Sequence, residues 1–250
     1  MKTLEGLITV ITGGGSGIGK SIATLFSQNG SHVVIFGRNE EKLKKVCEEI
    51  SSQDISISYR VGDVSDDESV KGIFSSIYKK YKKIDILINN AGFSSGKNFE
   101  TETLEEWEKE ITTNLTGTFN CSKLGYSSMK KKRKGIIINI ASERGRNGSP
   151  DSSPGYAASK AAIINLTKSL ALQLAQYNIR VNCIAPAAID KTEISGNWSE
   201  ELKQKIRNNI PLKRLGLPED IARVAYFLAT DNSAFITGCT IDVNGGLSML

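Results

Sequence analysis

Short apolar runs alternate with longer amphipathic stretches along almost the whole chain. The apolar runs predict strands at about 7–12, 32–36, 55–61, 84–89, 135–141, 179–185 and 238–243. The amphipathic stretches predict helices at about 17–29, 39–52, 66–80, 103–132, 155–177 and 218–229, and the fourth is long enough to hold two helices. Strands that alternate with helices form a parallel sheet with helices on both faces. The pattern therefore predicts an α/β fold with one doubly wound domain over residues 1–250 and a seven-stranded parallel sheet.

The stretch 187–210, between Pro186 and Pro211, departs from this pattern because it is polar and has only short helical character. It follows the sixth predicted strand, and ligands bind beyond the carboxyl ends of strands in open α/β sheets. It also contains Trp198, an aromatic residue that normally needs an apolar contact. We interpret 187–210 as a substrate lid that is poorly ordered without ligand and that places Trp198 over the substrate cleft. An ordinary surface excursion is the alternative.

Glycines fill the turn between the first predicted strand and the first helix, at Gly13, Gly14, Gly15, Gly17 and Gly19. A strand, a glycine turn and a helix in this order bring unpaired backbone N–H groups and the positive end of the helix dipole to one point. Such a point favours an anion, and phosphate groups of nucleotides are the common case.

Two phosphate-binding motifs compete for these glycines. The run 14–21 matches the loop of nucleoside triphosphatases, in which Lys20 would contact the phosphates. The run 12–19 matches a dinucleotide-binding turn whose first spacing is wider than usual. A triphosphatase also needs an apolar strand that ends in a magnesium-binding Asp, whereas the strongest apolar strands end next to Asn90 and Ser142. The dinucleotide interpretation is therefore favoured.

Composition limits the remaining classes of function. At 250 residues, 39% of them hydrophobic, the chain can bury one sizeable core. No apolar run approaches the ~20 residues of a membrane span, and the first residues do not resemble a signal peptide. We therefore expect a cytoplasmic protein with no membrane partner. Four widely spaced cysteines and a single histidine, His32, argue against a metal site and against Ser-His-Asp hydrolysis.

The net charge of +5 comes largely from two runs of cations, at 79–83 and 130–134. Both runs end predicted helices, where cations complement the negative end of the helix dipole. Binding of single-stranded nucleic acid would favour aromatic residues interleaved with the charge, and only Tyr81 meets that description. We therefore expect no nucleic-acid partner.

Tyr156 and Lys160 are the residues best suited to acid–base chemistry. Their spacing of four places both side chains on one face of a predicted helix. An ammonium ~5 Å from a phenol favours the phenolate by about 3 kcal/mol at an effective dielectric near 20, which corresponds to roughly two pKa units. We therefore expect the pKa of Tyr156 to move toward neutral pH. Ser142 ends a predicted strand, and Asn114 lies within a predicted helix, where Asn is a poor helix former.

In combination these motifs resemble the short-chain dehydrogenase/reductase family over about residues 7–246. The shared motifs are Thr12-Gly13-x3-Gly17-Ile18-Gly19, Asp63-Val64, Asn89-Asn90-Ala91-Gly92, Asn114, Ser142, Tyr156-x3-Lys160, Arg180-Val181-Asn182, Pro186, Leu217-Pro218-Glu219-Asp220 and Gly245-Gly246. The resemblance implies a Rossmann-type fold and an oxidoreductase that acts on a carbonyl or secondary alcohol. It also implies four catalytic roles, with Tyr156 as general acid/base, Lys160 lowering its pKa and holding the nicotinamide ribose, Ser142 orienting the carbonyl, and Asn114 supporting a proton-relay water.

The resemblance further implies the cofactor-binding residues. They are Gly13, Ser16, Gly17, Ile18, Gly19, Arg38, Asp63, Val64, Asn90, Ala91, Gly92, Tyr156, Lys160, Pro186 and Ile189. Asp63 would bond the adenine amino group, Val64 would lie beside the ring, and Asn90 would line the cleft. An acid at the end of the second strand would repel a 2′-phosphate, but Gly37 and then Arg38 stand there. A guanidinium suits a phosphate, so NADP(H) is favoured over NAD(H).

The chain departs from the family pattern at the nicotinamide end. Ala187 follows Pro186 where the family usually has Gly, and Lys191 stands where a Thr usually contacts the carboxamide. Ser142 and Tyr156 are separated by fourteen positions, one more than usual. These changes leave the implied reaction intact, and Lys191 would reach the cofactor phosphates.

Substrate and partners follow from the resemblance alone. The general look is closest to 3-oxoacyl-[acyl-carrier-protein] reductases, which makes acyl carrier protein a possible partner, with a small sugar, polyol or hydroxy acid dehydrogenase as the alternative. Arg133 and the loop residues Arg144 and Arg146 would supply basic surface, whereas Leu172 stands where a second arginine is expected. A non-catalytic nucleotide-binding regulatory subunit is a further alternative.

The resemblance also implies a homotetramer, which the apolar residues Ile163, Ile164, Leu166, Leu170 and Leu174 would help to form.

Overall fold

All seven strands of the computed structural model run parallel in one sheet, as the sequence predicts. The structure describes residues 2–51, 56–148, 150, 152–196 and 198–249. The strands are β1 (Ile8–Thr12), β2 (His32–Gly37), β3 (Ile57–Val61), β4 (Ile86–Asn89), β5 (Gly135–Ile140), β6 (Ile179–Pro186) and β7 (Thr240–Val243). Their order in the sheet is β3-β2-β1-β4-β5-β6-β7. The predicted start of the third strand and end of the second helix fall on residues 52–55, outside the described residues.

The helices lie close to their predicted positions. They are α1 (Gly17–Gln28), α2 (Glu40–Ile50), α3 (Asp67–Tyr81), α4 (Leu104–Glu110), α5 (Gly117–Lys132), α6 (Pro154–Leu174), α7 (Glu200–Asn209) and α8 (Pro218–Ala229). The predicted stretch 103–132 does contain two α-helices, but a π-helical segment, Ile111–Thr116, joins them without a turn. The predicted helix 155–177 ends earlier, at Leu174, and continues as a 3₁₀ turn to Tyr177.

Alternate residues of the central strands supply two cores, one on each face of the sheet. Ile11 and Ile35 pack against Ile22 of α1, together with residues of α2 and α8. Val10 and Val34 point the other way and pack in the core that holds residues of α3, α5 and α6. This is the doubly wound arrangement, and it explains why the central strands are apolar on both faces.

One expectation about α6 is wrong. Ile163, Ile164 and Leu174 were assigned to a subunit interface, yet each is buried within the chain itself. Ile163 and Ile164 pack beside Ala141 and Cys183, which a sequence pattern cannot distinguish from an external contact.

The strand order reverses direction between β1 and β4, and this opens a crevice at the carboxyl ends of the two strands. The crevice is held together by Thr12, whose hydroxyl accepts hydrogen bonds from the backbone N–H groups of Asn90 and Ala91 at 3.0 and 2.8 Å. No helix in the described ranges is long and apolar enough to cross a bilayer.

Candidate active site

The glycine turn after β1 leaves no room for side chains. Gly13 and Gly17 have φ values of +65° and +49°, a region that favours glycine. A Cβ on Gly19 would lie 2.2 Å from the Gly13 carbonyl oxygen and 2.6 Å from Nδ2 of Asn90. Ser16, the residue before α1, makes no side-chain bond to its own helix in the described part of the chain. The turn and the uncapped N-terminus of α1 therefore suit the diphosphate of a dinucleotide.

The triphosphatase interpretation needs Lys20 at the phosphates. Its ammonium instead lies 2.5 Å from Oε2 of Glu49 on α2. Among the described residues, no three His, Cys, Asp or Glu side chains form a group that would hold a metal ion. Lys20 thus belongs to the surface of the α1–α2 pair.

Arg38 and Asp63 lie together where β2 and β3 end, at the position expected for adenosine. Nη1 of Arg38 is 3.9 Å from Oδ2 of Asp63, and the Arg38 side chain is 64% exposed. Oδ1 of Asp63 is already engaged, because it accepts bonds from the backbone N–H and the hydroxyl of Ser65. The Val64 side chain is buried in the core, and Gly117 is the glycine that lets it pack closely on α5.

A second cation, Lys42 of α2, lies over the glycine turn and was not identified from sequence. A Cβ on Gly15 would be 3.3 Å from the Cβ of Lys42. The sequence does carry a signal for Lys42, because this residue lies four positions after Arg38 in the first turn of α2. The Asn39 side chain caps this turn by accepting the Lys42 N–H.

The expected lid contacts this phosphate-binding end of the crevice. Oε1 of Glu193 lies 2.5 Å from the Lys42 ammonium and 3.2 Å from the Ser16 hydroxyl. Thr192 packs on Gly17, where an added Cβ would lie 3.3 Å from its methyl group. These contacts lower the pKa of Glu193, chiefly through its hydrogen bond with Lys42. A carboxylate therefore occupies donors that suit a phosphate.

Other lid residues have different surroundings. Ile189 is buried in the first core and bridges to Gly216. Lys191, which has a φ of +57°, lines a surface groove of about 370 Å³ with Lys20 and Arg223 beside α1. Trp198 is half-buried, and its backbone N–H donates to the Ser195 carbonyl. Residue 197, within the predicted lid, lies outside the described residues.

Ser142, Tyr156 and Lys160 come together beyond the carboxyl end of β5, as predicted. Ser142 follows β5 by two residues and accepts a hydrogen bond from the Arg144 N–H at 3.2 Å. Tyr156 lies in the first turn of α6, and its hydroxyl interacts with the hydroxyl of Ser142. The Lys160 ammonium donates to the Ile140 carbonyl at 3.0 Å and lies 5.5 Å from the centre of the Tyr156 ring.

The expected direction of the Tyr156 pKa is wrong for the chain by itself. Burial raises this pKa and outweighs the lowering by Ser142 and Arg144, while the charge of Glu110 raises it further. Burial also lowers the pKa of Lys160 to about 8. The sequence argument counted the attraction between ammonium and phenolate and left out the cost of desolvating both groups.

Asn114 lies in the π-helical segment and is completely buried. Its Oδ1 accepts the Phe93 N–H at 2.7 Å, and its Nδ2 donates to the Phe93 carbonyl and to the Ser159 hydroxyl, both at 2.9 Å. Ser159 in turn donates to the Tyr156 carbonyl. Asn114 therefore joins the loop after β4 to the first turn of α6. Single π turns are frequent at functional sites, and this one orients the Asn114 side chain.

The Asn90 side chain holds the glycine turn, because Nδ2 donates to the carbonyls of Thr12 and Gly13 at 3.0 and 3.1 Å. Gly92 lies against the catalytic group, since a Cβ there would be 3.2 Å from the Lys160 ammonium and 3.4 Å from Oδ1 of Asn114. Ala91 is partly exposed beside them, and Pro186 ends β6. Ile18 is partly exposed in the first turn of α1.

Two acidic residues beside the catalytic helix were not predicted. Glu110 is fully buried four positions before Asn114, and Glu102 lies against the N-terminus of α6. Glutamates in an amphipathic stretch normally indicate a solvent-facing side, so the sequence carries no signal that Glu110 is buried or that Glu102 is half-buried.

Comparison with known proteins identifies relatives of this chain in sequence and in structure. The family model described as Enoyl-(Acyl carrier protein) reductase matches residues 13–248. The chain is 42% identical to the 3-oxoacyl-[acyl-carrier-protein] reductase FabG of Chlamydia pneumoniae over 246 residues, which cover 98% of each protein. It is 38% identical over 244 residues to the protein of the same name from Thermotoga maritima, again with 98% of each covered. The crystal structure of the 3-oxoacyl-[acyl-carrier protein] reductase from Brucella melitensis superposes with a TM-score of 0.93, at 34% identity, over 100% of this chain and 94% of that one.

Proposed function

We infer that this chain, which belongs to the short-chain dehydrogenase/reductase family, reduces 3-oxoacyl thioesters with NADPH. As a family member it is an oxidoreductase that acts on a hydroxyl or keto group with a nicotinamide cofactor. The proposal goes further in naming the substrate, the phosphorylated cofactor and the residues that act. One observation carries it: Ser142, Tyr156 and Lys160 meet beside a glycine turn that suits a dinucleotide.

The residues support carbonyl reduction in a definite way. When bound, the nicotinamide cofactor supplies the hydride for the carbonyl carbon. Ser142 donates a hydrogen bond to the carbonyl oxygen, and Tyr156 transfers its hydroxyl proton to that oxygen as the alcohol forms. Lys160 is held by the Ile140 carbonyl next to the ring. Because burial raises the pKa of Tyr156, the phenol is protonated at neutral pH, which is the state that a general acid needs.

The substrate proposal rests on the relatives' names together with the charges at this site. Arg144 lies beside Ser142 and is 36% exposed at its side chain, so it is available to an acidic partner. Arg146 is engaged with Asp242 at 3.0 Å, and Arg133 donates to the Gln176 carbonyl. Acyl carrier protein is the proposed partner, with Arg144 as the partly exposed cation beside Ser142.

The direct test follows NADPH oxidation with a 3-oxoacyl thioester, carried on acyl carrier protein or on a short thiol. A 2-enoyl thioester and a panel of ketoses and keto acids are the comparison substrates. We expect the 3-oxoacyl thioester to exceed the others in kcat/KM by at least about tenfold, a difference of ~1.4 kcal/mol in transition-state binding. Faster turnover of a ketose or keto acid would favour the alternative substrate class.

We propose that Arg38 and Lys42 select NADP(H) through the 2′-phosphate. Arg38→Asp, or Gly37→Asp combined with Arg38→Ile, is expected to shift the preference toward NAD(H) by about tenfold or more. An Asp at position 37 has space, since the atom nearest to its Cβ would be 3.9 Å away. Lys44→Asp is the matched control, because Lys44 lies on α2 and is likewise 64% exposed. A wild type that already prefers NADH tenfold would contradict the argument.

We propose that the lid acts at the cofactor as well as at the substrate. Glu193 must leave Ser16 and Lys42 before a phosphate can use them, so Glu193→Gln is expected to bind NADPH several-fold more tightly. Glu201→Gln, on an exposed residue of α7, is the control.

Hydrogen exchange over 187–196 and 198–210 should change on cofactor binding and again with substrate. Equal, strong protection in all states would mean that the segment is fixed structure.

We propose a homotetramer that is built through α5 and α6 and through the C-terminal region. Phe119 and Leu172 are 43% and 82% exposed and lie on these two helices. Phe119 lines a groove of about 420 Å³ together with Tyr126 of α5 and Leu170 of α6. Burial of a leucine contributes about 1.5–3 kcal/mol, so Leu172→Glu should dissociate the assembly at micromolar concentration. Leu202→Glu on α7 is the control, and a monomeric wild type in sedimentation would exclude the proposal.

A further inference from the structure

Two glutamates meet at the N-terminus of α6, directly before the catalytic tyrosine. Oε1 of Glu110 accepts the Ser153 hydroxyl at 2.7 Å and the Ser95 N–H at 2.5 Å. Oε2 of Glu102 accepts the Gly155 N–H at 3.1 Å. The contacts join three parts of the site: the loop after β4, the segment around α4, and the first turn of α6.

The other two carboxyl oxygens lie on the same side of Gly155, and the two glutamate side chains interact there. Oε1 of Glu102 and Oε2 of Glu110 are both buried, and neither has any other hydrogen-bond partner among the described residues. A Cβ on Gly155 would lie 3.2 Å from the first of these oxygens and 2.6 Å from the second. Both oxygens therefore face the same small space above Gly155, which an alanine would fill.

Two ionised carboxylates that face one small buried space would repel each other, which favours one proton held by the pair. The raised pKa of Glu102 agrees with this, since burial and the hydrogen bond with Glu110 are its largest causes. A shared proton satisfies both oxygens and leaves a single negative charge.

This pair also replaces the usual cap of the helix. Ser153 precedes α6 as its N-cap residue, yet its hydroxyl bonds Glu110 and makes no cap to its own helix in the part of the chain that the structure describes. The free Gly155 N–H is capped by Glu102 from outside the helix. A negative charge at a helix N-terminus is favourable, and here it is supplied by the segment around α4.

We propose that Glu102 and Glu110 share one proton and act as positioning residues for Tyr156, by fixing the first turn of α6 against α4 and the loop after β4. This inference rests on the proposed role of Tyr156 as the proton donor. Neither glutamate touches the reacting groups. They act through Gly155, Ser153 and Ser95.

The pair also affects the titration of Tyr156. The charged groups around the phenol are Arg144, Lys160 and Glu110, with the Ser142 hydroxyl in contact, and Glu110 raises the pKa of Tyr156. Glu106 of α4 faces Glu102 and raises its pKa, and it lies in turn near Lys97 and Lys109. Loss of the Glu110 charge should therefore lower the pKa of Tyr156. The rate of a reduction that needs the protonated phenol should then begin to fall, as the pH is raised, at a lower pH than in the wild type.

The free energy of unfolding depends on pH through Glu102 in the opposite direction from an ordinary glutamate whose pKa is lowered on folding. Because the folded protein raises the pKa of Glu102, its contribution is complete below the unfolded pKa of about 4.3 and is lost as the pH rises through the raised value. Once the shared proton leaves, two adjacent carboxylates repel each other and the contact between α4 and α6 loosens.

The experiment compares Glu110→Gln, Glu102→Gln and Glu110→Leu with Glu105→Gln, an exposed residue of α4, as the control. A glutamine at 110 keeps the hydrogen bonds. At the alkaline pH where Tyr156 titrates, the shared proton has already left, so this change removes a carboxylate charge that raises the pKa of Tyr156, and the alkaline limb of kcat should move to lower pH. Glu102→Gln keeps the Glu110 charge and should leave the limb in place. Glu110→Leu breaks the two hydrogen bonds to Ser153 and Ser95 and removes the carboxyl partner of Glu102, so it should lower kcat by about tenfold or more, with cofactor affinity retained.

A second readout does not depend on the substrate. The pKa of Tyr156 is measured by ultraviolet difference titration, in which the Tyr156→Phe protein serves as the blank for each glutamate variant. A lower Tyr156 pKa in Glu110→Gln supports the inference even if the 3-oxoacyl substrate is wrong. An unchanged Tyr156 pKa and an unchanged kcat limb in Glu110→Gln would overturn it, and this holds even if Glu110→Leu fails to fold.

Discussion

Tyr156→Phe is expected to lower kcat by about 10² to 10⁴-fold, the usual contribution of a general acid, while the cofactor still binds. Phenylalanine keeps the ring that packs beside the Lys160 ammonium and removes only the hydroxyl that faces Ser142. The structure therefore predicts an effect on turnover with little effect on stability. Steady-state kinetics with NADPH and a titration of cofactor binding measure the two quantities separately.

Tyr177→Phe is the matched control. Tyr177 lies at the end of α6, in the 3₁₀ turn that follows Leu174, and its ring packs under the Lys130 ammonium. The same hydroxyl is deleted far from the crevice, so kcat should stay within about twofold of wild type. A Tyr156→Phe enzyme that retains more than about a tenth of the rate would show that another group donates the proton.

The same result bears on whether the chain is a catalyst or a nucleotide-binding regulator. A regulator has no need of Tyr156, Ser142 and Lys160 in contact, and a Tyr156→Phe change would leave its partner binding intact. Family membership identifies an oxidoreductase, and the kinetic test assigns the step to a particular atom.

The strands were predictable from sequence because the sheet is buried on both faces. Val10 and Ile11, or Val34 and Ile35, enter opposite cores, so each strand is a short apolar run bounded by polar or glycine residues. The order of the motifs at known spacing then predicted which loops would meet at the crevice. A parallel sheet requires all strands to end at one edge, which is why the sequence positions of Thr12, Asn90 and Ser142 translate into proximity.

What sequence could not predict depends on burial. The expected pKa of Tyr156 went the wrong way because a spacing of four gives a distance and says nothing about desolvation. Ile163 and Ile164 were assigned to a subunit interface because a helical pattern does not distinguish an internal from an external apolar neighbour. Glu110 was missed for the reverse reason, since its charge indicated a surface position while tertiary contacts with Ser95 and Ser153 bury it.

The segment 187–210, which we interpret as a lid, was predictable only in its place along the chain. It follows β6, as the sequence pattern predicts, and the short helix α7 lies within it. Its contact with the glycine turn was not predicted, because Glu193 pairs with a residue 151 positions away in the chain. The direction in which a polar segment folds is set by such long-range pairs, which periodicity does not report.

Gly19→Ala is expected to weaken cofactor binding by about tenfold or more, the second large effect. Gly19 lies in the first turn of α1, and an added Cβ would be 2.2 Å from the Gly13 carbonyl oxygen and 2.6 Å from Asn90 Nδ2. Neither neighbour can move easily. The Gly13 carbonyl accepts from Asn90, and a Cβ on Gly13 would itself be 2.9 Å from Cα of Ala91. The N-terminus of α1 must therefore shift away from the turn.

Overpacking of this kind costs about 1–3 kcal/mol, which corresponds to roughly 5 to 150-fold in an equilibrium constant. The displaced groups are the backbone N–H donors that suit the diphosphate, so the cost should appear in the affinity for NADPH as well as in the Tm. Gly72→Ala is the matched control, because Gly72 lies within α3 and an added Cβ would have nothing within 4 Å. That change should raise stability by about 0.4–1 kcal/mol and leave cofactor affinity unchanged. If Gly19→Ala bound NADPH as tightly as Gly72→Ala does, the turn after β1 would not be the diphosphate site, and the nucleotide would have to enter the crevice from the β4 side.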